Sequence, residues 1–205
     1  MPKVSQAHLD ARRQQILEAA IACFAREGFY RATMQDIVRE SGLSPGAIYS
    51  YFKSKEEIIE AIADERHLRE RALIAAAREQ GSAASMLRDL AQGFFGALDD
   101  AEGRAQRRIN IQIWAEALRN PQLHAIVRAG VDEPRVMLAE MVAAAQERGE
   151  LPAHLAPDAL ARVMIALFQG FILQQAWDDE ADVASYVAVI EAMLTALLKQ
   201  ATDDR

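Results

Sequence analysis

Phe29-Tyr-Arg-Ala-Thr33-Met-Gln-Asp-Ile-Val-Arg-Glu-Ser-Gly42-Leu-Ser44-Pro-Gly-Ala-Ile-Tyr49-Ser-Tyr-Phe-Lys-Ser-Lys55 is the stretch whose reading decides the fold. Thr33 to Asp36 has the form of a capping box, so a short helix opens there with Ile37 and Val38 on its apolar face. A glycine turn follows. Ser44-Pro45 then pairs an N-cap with proline at the first helical position, opening a second short helix. Ile48 and Phe52, four residues apart, share its inward face. Two short helices around a glycine turn make a helix-turn-helix, whose second helix lies in the DNA major groove.

Outward from this core, almost the whole chain reads as helix, because β-branched runs of period two are absent. Before it, Ile16, Leu17, Ala20, Ile21 and Phe24 recur at helical spacing from about residue 7 to residue 27, with Gly28 as the stop. After it, Ser54 to Glu57 repeats the capping pattern and opens a long fourth helix with Ile58, Ile59, Ile62 and Ala63 inward. Gly81-Ser82 is the next break. A fifth helix spans 82–98, and the polar run 99–103 separates it from a sixth that ends near Arg119. Asn120-Pro121 starts a seventh that reaches Arg148, in which Pro134 is expected to kink or divide the helix. From Asp158 to Trp177 the chain is apolar on nearly every side, so this helix lies either in a core or between subunits. A last amphipathic helix runs to about Gln200.

The chain has 205 residues, about half of them hydrophobic, enough for a sizeable core. The opening residues do not resemble a signal peptide, and no uninterrupted apolar run approaches a membrane span, so a cytoplasmic location without membrane contact is expected. The single cysteine, Cys23, reads as a buried inert thiol. Net charge is −7, which argues against DNA until its distribution is read. Residues 1–55 carry eight Lys/Arg against five acids, whereas the remainder carries fifteen against twenty-five. The basic end is suited to phosphate and the acidic remainder is not.

With Ile48 and Phe52 inward, the outer face of the third helix presents Pro45, Gly46, Tyr49 and Ser50. Gly46 and Ala47 are small enough to let the backbone approach base edges. Tyr49 and Tyr51 offer hydroxyl donors to phosphates, and Lys53 and Lys55 offer charge. Thr33 stands at a helix N-terminus, where N–H groups, a hydroxyl and the dipole suit phosphate. Gln35 is the best-placed long amide for a base edge.

These residues also carry a resemblance. Residues 11–62 resemble the N-terminal domain of the TetR/AcrR family of transcriptional regulators, through Ile16 to Ala20, Phe24 to Phe29, Thr33 to Ile37, Ser41 to Ser44 and Gly46 to Lys55. The resemblance implies an all-α protein of about nine helices. An N-terminal three-helix DNA-binding domain (1–55) is joined through a long helix (55–78) to a larger ligand-binding and dimerisation domain (56–205). It further implies a homodimer, formed through the last two helices, that binds double-stranded operator DNA, represses a nearby promoter and is released by a small effector. The family positions matching Thr33, Gln35, Ser44, Gly46, Ala47, Tyr49, Tyr51 and Lys55 commonly touch DNA. Since Gly46 and Ala47 lack polar side chains, shape and phosphate contacts are expected to weigh more there than base readout.

Beyond residue 75 no motif of like strength occurs. Candidate effector contacts are the aromatic and flexible residues Phe94, Phe95, Trp114, Met137, Met141, Phe168, Phe171 and Trp177. Asn110, Gln112, His124, Gln169 and Gln174 are the polar residues among them. Gly170 is read as a point of close approach by a helix or ligand. Catalysis is not expected. None of His8, His67, His124 and His154 follows a glutamate by three residues, as a di-iron bundle requires. There is no zinc cluster, phosphate loop or nucleophile elbow, so neither metal nor cofactor is expected.

Overall fold

The structure, a computed structural model, describes residues 5–79, 82–96, 101–178 and 180–203. Among these, nine helices follow in order: α1 Gln6–Glu27, α2 Met34–Ser41, α3 Pro45–Tyr51, α4 Lys55–Arg78, α5 Ala83–Gly96, α6 Ala101–Ala117, α7 Pro121–Glu147, α8 Pro157–Trp177 and α9 Val183–Asp203. The break read at Gly81 lies outside the described residues, as do 97–100. Ala101 to Gly103, read as spacer, are already helical in α6.

The caps form as the sequence requires. The Thr33 hydroxyl accepts from the Asp36 N–H, and the Asp36 carboxylate accepts from the Thr33 N–H at 2.9 Å, closing the capping box. Ser44 accepts from the Ala47 N–H, with Pro45 behind it. At α4 the box is displaced by one residue: Ser54 accepts from the Glu57 N–H, but the Glu57 carboxylate reaches back to the Lys53 N–H at 2.7 Å. Gly28 and Gly42 end α1 and α2 with φ of 82° and 67°, a region costly for residues with a Cβ.

The chain forms two compact units, 1–66 with 108–127, and 67–107 with 128–205. In the first, Ile16, Leu17, Ala20 and Phe24 of α1 meet Ile37 of α2, Ile48 of α3 and Ile58, Ile59 and Ile62 of α4. Ile109, Ile113 and Ala117 of α6 and Leu123 of α7 belong to the same core. This unit therefore extends well past residue 55. Cys23 is fully buried here, and burial pushes its thiol pKa up. In the second unit, Ile74 and Ala77 of α4 pack with Met86, Leu87 and Leu90 of α5, Leu138, Met141 and Val142 of α7 and Ala161 of α8. Leu194, Leu197 and Leu198 of α9 lie against them.

Four expectations can be set beside the structure. Pro134 does not divide α7, which runs unbroken from Pro121 to Glu147. Buried Leu138, Met141, Val142 and Ala145 anchor the turns after it, offsetting the lost backbone hydrogen bond. Gly170 has nothing within 4 Å of an added Cβ; the close approach is at Gly93, where a Cβ would stand 2.3 Å from a Leu73 methyl. The α8 helix is covered on one side only, by Ala161, Phe171, Ile172 and Gln175, while Val163 on another side is exposed. Lastly, Pro157–Trp177 and Val183–Gln200 are long and apolar enough to cross a membrane, by length and composition alone. Isolated charges such as Arg162 and Glu191 interrupt these runs but barely lower their average, which is why a search for uninterrupted stretches passes over them. Only 22% and 6% of the two spans are buried within the chain, so each helix keeps an apolar side without internal cover.

Candidate nucleic-acid interface and effector region

The α2–α3 pair is built on the first unit's core. Ile48 and Phe52 are buried as the spacing requires, and Pro45, Gly46, Tyr49 and Ser50 stand outward. Nothing lies within 4 Å of a Cβ placed on Gly46, so the face around it is clear. Tyr49 is 48% exposed, whereas Tyr51 is half-buried against the core. Gln15 of α1 donates to the Ser41 carbonyl at 2.7 Å, and Arg26 pairs with Glu40 at 3.0 Å, which holds α2 on α1. Arg13 of α1 pairs with Glu65 of α4 and lies over the Phe52 ring.

Phosphate oxygens only accept, so donors decide what can grip them. The Ser44 hydroxyl accepts from Ala47 and keeps its own proton to give. The Ser50 proton already goes to the Ala47 carbonyl at 2.6 Å, and the Thr33 proton to Asp36 at 2.6 Å. Those hydrogen bonds from Thr33, together with Arg39, hold the Asp36 carboxyl below its ordinary value of 3.8. Asp36 thus occupies the α2 N-terminus with a carboxylate of its own, and Thr33 must turn to serve a phosphate. Because the folded chain favours ionised Asp36, this stabilisation is present above the ordinary carboxyl range and is lost as pH falls below it. Thr33→Ala, which removes the cap, is expected to cost about 1 kcal/mol of unfolding free energy, read by chemical denaturation at neutral pH.

Lys55 is not a free surface charge. Its ammonium donates to the carbonyls of Phe29 at 2.9 Å and Tyr30 at 3.3 Å, and stands 4.8 Å from the Phe29 ring centroid. One donor remains for phosphate. Lys53 is exposed, Ala47 is half-buried and Gln35 is exposed on α2. Sequence reasoning passed over Arg39, exposed one turn beyond Gln35 and ion-paired to Asp36; the i,i+4 spacing was the available signal. It also passed over Tyr30, 83% exposed beside the α2 cap, for which no comparable signal exists.

The effector candidates separate. Asn110, Gln112, Trp114 and His124 fall in the first unit, where Asn110 accepts from Arg66 at 3.3 Å, Gln112 accepts from the Phe29 N–H at 2.8 Å and His124 is exposed. In the second unit Phe94, Phe95, Phe168 and Phe171 do come together, joined by Tyr186 of α9, which the sequence reading did not include. Phe95 lies 5.5 Å from Phe168, 5.6 Å from Phe171 and 5.5 Å from Tyr186, ring centroid to centroid, and Phe171 lies 4.3 Å from Tyr186. The Tyr186 hydroxyl donates to the Leu167 carbonyl at 3.1 Å, and burial raises its pKa. Met141 is core and Met137 lines it; Gln169 is half-buried, Gln174 exposed and Trp177 77% exposed. Gln175, one turn beyond Phe171 on the same buried face, donates to the Ala181 carbonyl, yet its buried Oε1 has no hydrogen-bond partner. This orphan acceptor, one helical turn from Phe171, is the polar feature that marks this part of α8.

Residues 16–62 match the family model described as bacterial regulatory proteins, tetR family, and residues 83–199 match that of the C-terminal domain of BetI-type transcriptional repressors. The HTH-type transcriptional regulator UidR of Escherichia coli K12 is 30% identical over 193 residues, which cover 94% of this chain and 96% of the relative. The solved structure of Salmonella enterica GusR is similar with a TM-score of 0.78 and 29% identity, covering 96% of this chain and 99% of GusR. A regulator from Saccharomonospora viridis, solved in complex with choline, shares the fold at a TM-score of 0.75 and 22% identity, over 93% of this chain and 96% of that one.

Proposed function

Because this chain belongs to the tetR family of bacterial regulatory proteins and is a ligand-responsive helix-turn-helix transcriptional regulator, we propose that it is a cytoplasmic homodimeric repressor that lets go of its operator when an effector enters the aromatic region of the second unit. Residues 1–55 hold the DNA, 55–78 connect, and 56–205 take the effector and the partner subunit. The observation that carries this reading is the clear outer face of α3. Gly46 admits close approach, Tyr49 and Ser44 supply donors, Lys53 supplies charge, and Gln35 on α2 reaches a base edge.

Dimerisation is supported by the uncovered side of α8 and α9. Ala188, Val189, Ala192, Met193 and Ala196 of α9 are exposed along one stripe, and Gly170 of α8 has open space before it. Small residues let helices of two subunits approach closely, and a face this apolar is otherwise costly in water. The effector is a partly apolar molecule carrying a hydrogen-bond donor, which would satisfy Gln175 Oε1. The rings of Phe95, Phe171 and Tyr186 already touch, so such a molecule has to part them, and its binding favours the chain state in which they are apart.

The test is a gel-shift titration against duplexes that the protein itself selects from a random-sequence pool. A two-fold-related pair of half-sites about one helical turn apart is expected. Weak binding, uniform across sequences and unaffected by Tyr49→Phe, would sink the proposal.

A further inference from the structure

The peptide joining α1 to α2 is gripped from two sides. Lys55 of α4 donates to the carbonyls of Phe29 and Tyr30, and from the other side Gln112 of α6 accepts from the Phe29 N–H at 2.8 Å. The amide is seated tightly: a Cβ on Gly28 would stand 3.1 Å from Gln112 Oε1. Gly28 has φ of 82°, so the turn takes a course that leaves the Phe29 N–H outside the α1 ladder, where Gln112 supplies its acceptor. Phe29 itself is buried, and its ring packs edge-on to Phe24 at 5.4 Å. Four residues later the chain reaches the Thr33 cap and Gln35.

We propose that Gln112, which lies on α6 far along the chain from the reading helices, is a positioning residue for operator recognition, clasping the Phe29 N–H and thereby setting where α2 presents Thr33 and Gln35. The assignment rests on the DNA-binding reading above. Ile109 and Ile113 of the same helix are buried in the first unit's core, so the amide is carried on a fixed support. Side-chain amides hold such a point better than water does, because the N–H they satisfy is buried with the ring beside it. Gln112 carries no charge, and its amide oxygen is engaged by the Phe29 N–H. Its loss is therefore expected to act on sequence-specific binding, which needs Gln35 in register, and not on the salt-dependent attraction of the basic end.

The experiment compares wild type, Gln112→Leu and Gln112→Glu in affinity for the duplex selected by the wild-type protein and for a scrambled duplex of equal length. Gln112→Leu is expected to lose about tenfold on the selected duplex, equivalent to roughly 1.4 kcal/mol, with scrambled-duplex affinity unchanged. Gln112→Glu keeps an acceptor of equal reach and is expected to recover most of the loss. Unchanged discrimination in Gln112→Leu, or equal losses in both variants on both duplexes, overturns the assignment. If Gln112→Leu does not fold, hydrogen exchange of the Phe29 amide in the wild-type chain decides: protection equal to that of the α1 interior supports the clasp, and rapid exchange overturns it. A wild-type chain that selects no duplex at all removes the DNA-binding reading, and this assignment with it.

Discussion

Gly46→Glu is expected to abolish operator binding in a chain that stays fully folded. The backbone at Gly46 is ordinary helix, and no atom lies within 4 Å of the added Cβ, so the folded chain has room for the new side chain. Glycine inside a helix costs up to about 1 kcal/mol relative to other residues, so thermal stability is expected to hold or rise slightly. Against DNA the outcome reverses. A carboxylate on the outer face of α3 meets phosphates without a counter-charge and keeps the helix from closing on the groove. The loss is expected to exceed about a hundredfold, or roughly 2.7 kcal/mol, in fluorescence anisotropy at fixed salt. Gly46→Ala separates bulk from charge: a smaller loss is expected with the same rise in stability. An affinity for the selected duplex within threefold of wild type would place DNA elsewhere on the molecule.

The second large effect concerns the uncovered side of α9. Val189 and Met193 are 59% and 54% exposed and four residues apart, hence neighbours on one face. Val189→Glu with Met193→Glu introduces two charges where the proposal places the partner's helices. The double variant is expected to sediment as a monomer while the wild-type chain sediments as a dimer. Operator affinity is expected to fall by about 10²–10⁴, because two half-site contacts no longer act together. Unfolding of the isolated chain is expected to change little, since neither residue is part of a buried cluster. A double variant that remains dimeric removes α9 from the interface. A wild-type chain that partitions onto lipid vesicles would instead assign the apolar faces of α8 and α9 to a membrane.

Legibility divided along a physical line. Thr33, Asp36, Ser44 and Gly42 were readable because a cap is an interaction across two or three residues, and its chemistry is written where it acts. The inward pair Ile48 and Phe52 and the outward Pro45, Gly46, Tyr49 and Ser50 were readable for the same reason, since helical spacing assigns faces. Lys55 was readable as a charge near DNA but not as a clamp on Phe29 and Tyr30, a role that depends on how α4 crosses the preceding turn. Among the effector candidates, Phe95 and Phe171 were grouped by being aromatic, and the fold brings their rings together. Asn110, Gln112, Trp114 and His124 were grouped with them by residue type, and the fold sends them to the other unit. Tyr186 and Gln175 carried no local mark at all.

By itself, then, the order of residues determined that this chain is all helix, where its reading helices start and stop, and that its basic end is the one suited to DNA. Each of those rests on interactions between residues within one or two turns, or on charge, which adds along the chain without regard to fold. The tertiary structure decided that α6 shares a core with the reading helices, that an amide eighty-three residues away completes the α1–α2 turn, and that α8 and α9 keep an apolar side uncovered. Contacts over such separations follow from which faces are buried against which, and helical periodicity says only that a face is apolar, never what will cover it.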